Sequence, residues 1–154
     1  MFFQKGSVKV KRCLKKFHEA HGRDFESALS EVRGGQKLGH WMWYIFPQVK
    51  GLGESPTSQF YSINSLEEAV AFLKDPLLGG NLREITKALL SLKTDDAESV
   101  FGWLDAKKLR SSMTLFRVAG ESCGQAELFQ QVLDKYFGGE MDERTMEILI
   151  EREL

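Results

Sequence analysis

The chain has 154 residues and a mass of 17.5 kDa, which is one domain's worth of polypeptide. Hydrophobic residues make up 42% and charged ones 28%, ordinary globular usage that excludes a disordered chain. With 21 basic and 22 acidic residues the net charge is −1, so no global field favours nucleic acid or anionic lipid.

The first stretch, KGSVKVKRCLKK, holds six Lys/Arg in twelve residues. It reads as a solvated arm or exposed helix face, with residues 1–9 expected to be a flexible N-terminal arm on a single globular domain spanning 1–154. Met1-Phe2-Phe3 is too short for a signal-peptide core, and no apolar run approaches the roughly 18 residues of a membrane span. Cys13 and Cys123 make no disulfide framework and sit in no CxxC, so reduced thiols and a cytoplasmic setting are expected.

Helix punctuation then recurs along the chain. A first amphipathic helix is predicted over Val10–Ala20, ended by Gly22. Asp24 caps a second, carrying Phe25, Ala28, Leu29 and Val32 and stopping at Gly34-Gly35. Pro47 cannot continue a helix, so Leu38–Ile45 is the simplest next element. At 100° per residue, Leu38, Trp41, Met42 and Ile45 share one side, with His40, Trp43 and Tyr44 on the other. The segment after it, PQVKGLGESPTS, reads as an irregular loop with a weak anion-nest signal and no P-loop lysine. Phe60–Ile63 is ambiguous between helix and strand.

Ser65-Leu66-Glu67-Glu68 is a capping box ahead of Leu66, Ala69, Val70 and Leu73. Asp75-Pro76 opens a helix to about Leu92. Asp95-Asp96 start a short helix with Val100 and Phe101, and Asp105 is expected to cap Ala106–Ala119. Gln125–Phe137 ends at Gly138-Gly139, and Asp142 caps a last helix with Met146, Leu149 and Ile150 inside. Strand-type alternation is nearly absent. The expectation is an all-α, multihelical domain of seven to nine helices around a central aromatic-rich helix.

Chemistry is less explicit. Trp41, Met42, Ile45 and Phe46 read as core. His40, Trp43 and Tyr44 bring polar handles that a core of Leu and Phe would not need, and such a stripe is the usual lining of a pocket for a planar or sugar-like ligand. On the Asp105 helix, Lys108, Ser111 and Ser112 fall within one turn of each other. Close helix packing through small residues explains them, and so does an anion-binding cluster; a lysine-activated serine nucleophile has no supporting motif. His18-Glu19-Ala20-His21 has its histidines three apart, where HExxH needs four, and reads as a surface helix face with no metal implied.

HWMWYIFPQ (His40–Gln48), GLGESPTSQFYSINSLEEAVAFL (Gly51–Leu73), DPLLGGNL (Asp75–Leu82) and LRSSMTLF (Leu109–Phe116) together resemble an uncharacterised family of small proteins often labelled calpastatin-like. The resemblance covers about Phe17–Phe137 and implies an all-α domain without an established activity. The family has glutamine where His21 stands, histidine-proline at Asp75-Pro76 and arginine at Asn81. The inhibitor that lends the label is a disordered chain of repeats, unlike this composition.

The leading functional expectation is a pocket for a small polar-aromatic ligand, nucleotide- or sugar-like. Trp43 and Tyr44 would stack, Gln48, Lys108, Ser111 and Ser112 would supply polar contacts, and His40 would be the general acid/base of a metal-independent hydrolase or transferase. No cofactor is called for. The alternative is a non-catalytic interaction module using surface helices or the Gly51–Ser58 loop. A nucleic-acid accessory using the basic N-terminus ranks below both.

Overall fold

A computed structural model describes the backbone of residues 2–153 and the side chains of residues 9–152. It is all-helical: α1 (Phe2–Arg33), α2 (Met42–Ile45), α3 (Pro56–Tyr61), α4 (Leu66–Lys74), α5 (Pro76–Ser91), α6 (Ala97–Glu121), α7 (Ala126–Phe137) and α8 (Glu143–Glu153). Residues 2–9 of the stretch expected as an arm form the first turns of α1.

The expected caps stand where oxygen side chains precede apolar stripes. Ser65 Oγ accepts from Glu68 N at 3.1 Å, and Asp75 Oδ1 accepts from Leu77 N and Leu78 N at 3.0 and 2.9 Å. Asp96 accepts from Glu98 N, and Asp142 Oδ2 from Thr145 N at 2.9 Å. At the other end of α7, Gly138 adopts the left-handed conformation, φ 63°, that a C-cap needs.

Four expectations change. Gly22 does not end a helix: α1 runs through it, and Asp24 lies inside the helix instead of capping one. The helix predicted over Leu38–Ile45 shrinks to Met42–Ile45, and Leu38 is 72% exposed instead of sharing the core side. Asp105 sits within α6, not at its start; that helix begins at Ala97 and breaks at Gly102, whose φ of 80° and ψ of 162° separate a short first piece from the rest. In α8 the inward positions are Ile148 and Leu149, while Ile150 is exposed. The ambiguous Phe60–Ile63 stretch ends α3 and makes one isolated parallel bridge, Ile63 with Val49.

An aromatic spine ties the elements together. Phe17 on α1 meets Phe72 on α4 edge-on at 5.2 Å, Phe72 meets Phe116 on α6 at 5.3 Å, and Phe116 meets Phe129 on α7 at 5.9 Å. All four are fully buried, and such pairs contribute about 0.5–1.5 kcal/mol beyond area burial. On α6 the run from Ser111 to Phe116 is buried without interruption, which makes this helix the interior one. Trp41, Met42, Ile45 and Phe46 are core, as expected.

Candidate functional site

The loop from α1 to α2 is held by a carboxylate. Glu31, near the end of α1, accepts at Oε1 from Leu38 N (2.6 Å), Gly39 N (2.8 Å) and Trp41 Nε1 (2.9 Å). Desolvation pushes its pKa up, but these donors and the Lys37 ammonium outweigh it and hold the carboxyl below its usual range. Lys37 is almost buried. Its Nζ lies 2.8 Å from Asp105 Oδ2, donates to Gly39 O at 2.6 Å and stands 5.1 Å over the Trp41 ring. Lys37 N also donates to Val100 O at 2.8 Å, so the loop is pinned to α6 by backbone and by charge.

From Asp105 the chain of charge runs outward. Lys108 Nζ is 3.4 Å from Asp105 Oδ1 and 5.5 Å over the face of Trp43. Trp43 is half-buried, and His40 is exposed on the clamped loop three residues earlier. Trp43 and Lys108 therefore share one surface region, while the backbone of His40 lies on the loop that Glu31, Lys37 and Asp105 hold in place. Glu31 and Lys37 carried no sequence signal, because a lone acid or lysine near the end of a helix looks like ordinary solvated charge, and Asp105 was legible only as a helix cap.

The remaining candidates have surroundings of their own. Tyr44 is 6% exposed. Its hydroxyl donates to Asp24 Oδ2, its ring packs 4.9 Å from Tyr61, and the Arg23 guanidinium stands 5.5 Å over it. Burial, then the Asp24 carboxylate, raises its pKa. The grouping of His40 with Tyr44 on one helix side thus gives way, since residue 40 precedes the helix. Gln48 is half-buried, and its carbonyl accepts from Ile63 N at 2.8 Å. Ser111 Oγ donates to Lys107 O at 3.2 Å, a helix-internal bond. Ser112 is wholly buried, and its Oγ meets no partner among the described residues. Thr114 Oγ1 donates to Arg110 O and accepts from Asp142 N, both at 2.8 Å, which fastens the start of α8 to α6.

The expected surface face holds for His18, whose side chain is 40% exposed, but not for His21. His21 is 3% exposed; its Nε2–H donates to Tyr44 O at 2.7 Å and its Nδ1 accepts from Asn81 Nδ2 at 3.1 Å. Burial drives its pKa down to about 4. His18 Nε2 bonds Asp75 Oδ2 at 2.7 Å. Among the described residues no three His, Cys, Asp or Glu side chains are placed to hold a metal, and no helix is long and apolar enough to cross a membrane. Gly53 in the weak anion-nest segment has a packing reason: a Cβ there would stand 2.5 Å from Ser58 Cβ.

Five surface cavities of about 290–490 Å³ open elsewhere, and none of these five is lined by His40, Trp43, Tyr44, Gln48, Lys108, Ser111 or Ser112. The region around Trp43 is an aromatic-cationic face on a rigid support, set on a compact all-helical domain. The chain belongs to the family described as protein of unknown function (DUF1810), whose model matches residues 11–149. It is also similar to a conserved hypothetical protein from Mycobacterium tuberculosis, known from a crystal structure at 1.38 Å. The two share 44% identity with a TM-score of 0.85, over 89% of this chain and 96% of that one. No curated protein matches the chain.

Proposed function

We propose that the His40–Trp43–Lys108 face binds a small ligand that joins a planar ring to an anionic group, a nucleotide or a sugar phosphate. The observation that carries this reading is Lys108, held by Asp105 at 3.4 Å and set 5.5 Å over a half-buried indole. That pairing offers a stacking surface and a cation in one place. Tyr44, bonded to Asp24, supports α2 beneath the face and positions Trp43 without touching the ligand. His40, the exposed imidazole of the clamped loop, is the group available to move a proton. Metal-independent hydrolysis or group transfer is the reaction class that follows.

The test is a thermal-shift screen with nucleoside phosphates, sugar phosphates and neutral sugars, followed by calorimetry. A ligand at about 100 times its Kd stabilises by about 2.7 kcal/mol, a rise of several degrees for a chain of this size. Trp43→Leu and Lys108→Met should each abolish the rise, while His40→Ala should keep binding and remove any turnover. A flat screen, or an unchanged rise in Trp43→Leu, sinks the proposal.

A second reading, the interaction module, has its own observation. Leu38, Trp103 and Leu104 are 72%, 57% and 57% exposed, and the Lys37–Val100 backbone bond and the Lys37–Asp105 ion pair bring their two segments side by side. It predicts a flat ligand screen together with a discrete adduct from a photo-crosslinker placed at position 103.

A further inference from the structure

Charge is balanced over the whole chain but not along α1. Residues 9–23 hold six Lys/Arg against one acid, Glu19, while the net charge of the chain is −1. At about 100° and 1.5 Å per residue, Lys9, Arg12, Lys16 and Arg23 fall within about 60° of one another, in a row roughly 21 Å long with Glu19 at its edge. Lys9, Arg12 and Arg23 are exposed and Lys16 is half-buried. Leu14, Phe17, His21 and Phe25 turn another side of the same helix into the core. Among the described residues Lys9, Arg12 and Lys16 form no ion pair, and Arg23 shares its guanidinium with Asp24 at 3.0 Å.

Aromatic rings flank this row. Lys16 Nζ stands 5.3 Å over the ring of Phe60, near the end of α3. Phe60 meets Tyr61 edge-on at 4.8 Å, Tyr61 meets Tyr44 at 4.9 Å, and the Arg23 guanidinium closes the line over Tyr44. Rings and cations thus run side by side from Lys16 to Arg23. Tyr44 is buried and Tyr61 half-buried, but Phe60 is 57% exposed, so core packing does not account for its ring.

We infer that this edge of the molecule binds single-stranded nucleic acid, with phosphates along Lys9, Arg12 and Lys16 and a base stacked on Phe60. Cations set in line on a rigid helix neutralise a polyanionic backbone, and a ring standing among them stacks on any base. A duplex, its bases enclosed, would leave Phe60 unused. An anionic bilayer fits less well, because an interfacial helix needs a free apolar face and α1 has turned its own into the core. An acidic peptide would engage the lysines and ignore the ring. The net charge hides this row because the balancing acids lie elsewhere in the sequence. The inference is independent of the Trp43 face, and neither outcome there affects it.

The test is fluorescence anisotropy of the full chain with labelled oligo(dT) and oligo(U) of about 12 nucleotides, between about 50 and 200 mM salt. Log affinity should fall against log salt with a slope of about −2, three phosphate contacts at about 0.7 each. Arg12→Gln and Lys16→Gln should each make the slope shallower by about 0.7. Phe60→Ala, a change at an exposed position, should weaken the single strand about fivefold or more and leave the slope as it was. Lys87→Gln, exposed on α5, is the control and should change neither. No binding at about 50 mM salt, a slope that Lys16→Gln does not alter, or full affinity in Phe60→Ala overturns the inference. So does a duplex that binds as tightly as the single strand, or phosphatidylserine vesicles that bind the chain through Phe60 and displace the oligonucleotide.

Discussion

His21 shows what a single buried base does to a helical core. Its two nitrogens are used as one donor, to Tyr44 O, and one acceptor, from Asn81, which only the neutral ring can supply. Burial puts its folded pKa at about 4 against 6.5 for the free side chain, so the unfolded chain takes up the proton first. The stability it permits is complete above pH 6.5 and is lost as the pH falls toward 4, by roughly 3 kcal/mol over that window. Asp75, partly desolvated but held low by the Leu77 and Leu78 amides and His18, adds a loss in the same direction at lower pH. Glutamine offers the same donor and acceptor without titrating. Urea midpoints for His21→Gln should stay level between pH 7 and pH 5, while those of the parent chain fall. Parallel slopes for the two would show that another group carries the effect.

Glycines separate what a helix does from what a motif suggests. As residues, Gly22, Gly79 and Gly80 look alike, each a break in a helical pattern; in the folded chain they differ by their surroundings. A Cβ at Gly22 or Gly80 meets nothing within 4 Å, whereas one at Gly79 would stand 2.0 Å from the Leu73 carbonyl oxygen, where α5 turns back against the end of α4. Gly22→Ala and Gly80→Ala should each stabilise the chain by about 0.5–1 kcal/mol through helix propensity. Gly79→Ala should destabilise it by several times that, since backbone has to move. Gly102 is needed for a different reason: φ 80° and ψ 162° lie in a region only glycine occupies cheaply, and alanine there costs about 1–3 kcal/mol. Chemical-denaturation midpoints for the four variants check the ordering, and a stable Gly79→Ala would contradict the close packing of α4 on α5. The caps at Ser65, Asp75 and Asp142 were legible because an N-cap is settled within four residues. The join at Gly22 was not, because nothing local distinguishes a tolerated glycine from a terminator.

At the scale of the molecule, the fold class and the inward positions Trp41, Met42 and Ile45 were readable from apolar spacing, which also put Leu38 on that side wrongly, and Phe46 was readable from its residue type. The site was readable only in part, and the reason is range. His40, Trp43 and Lys108 stood out by residue type, but what assembles them is Glu31, Lys37 and Asp105, joined across gaps of 10 residues to Trp41 and many more to α6. Extending a helix back to residue 38 placed His40 beside Tyr44; the Glu31 clamp instead holds that backbone as a loop and leaves the imidazole in solvent.

Asp105 is the point where this long-range assembly is most exposed to test. It is 20% exposed and faces two lysines, one of them, Lys37, only 8% exposed. Removing one partner of a largely buried pair leaves the other desolvated and uncompensated, at about 3 kcal/mol. Asp105→Asn should cost about that much, and Lys37→Met, which leaves the Asp105 carboxylate still paired with Lys108, distinctly less. The double variant should be more stable than Asp105→Asn alone, a coupling visible in a double-mutant cycle by denaturation. Asp105→Asn also frees Lys108 from its tether, so ligand affinity at the Trp43 face should fall even at temperatures where the variant is fully folded. Strictly additive stabilities would mean that Lys37 and Asp105 do not act as a pair, and that the α1–α2 loop is held to α6 by the Val100 backbone bond alone.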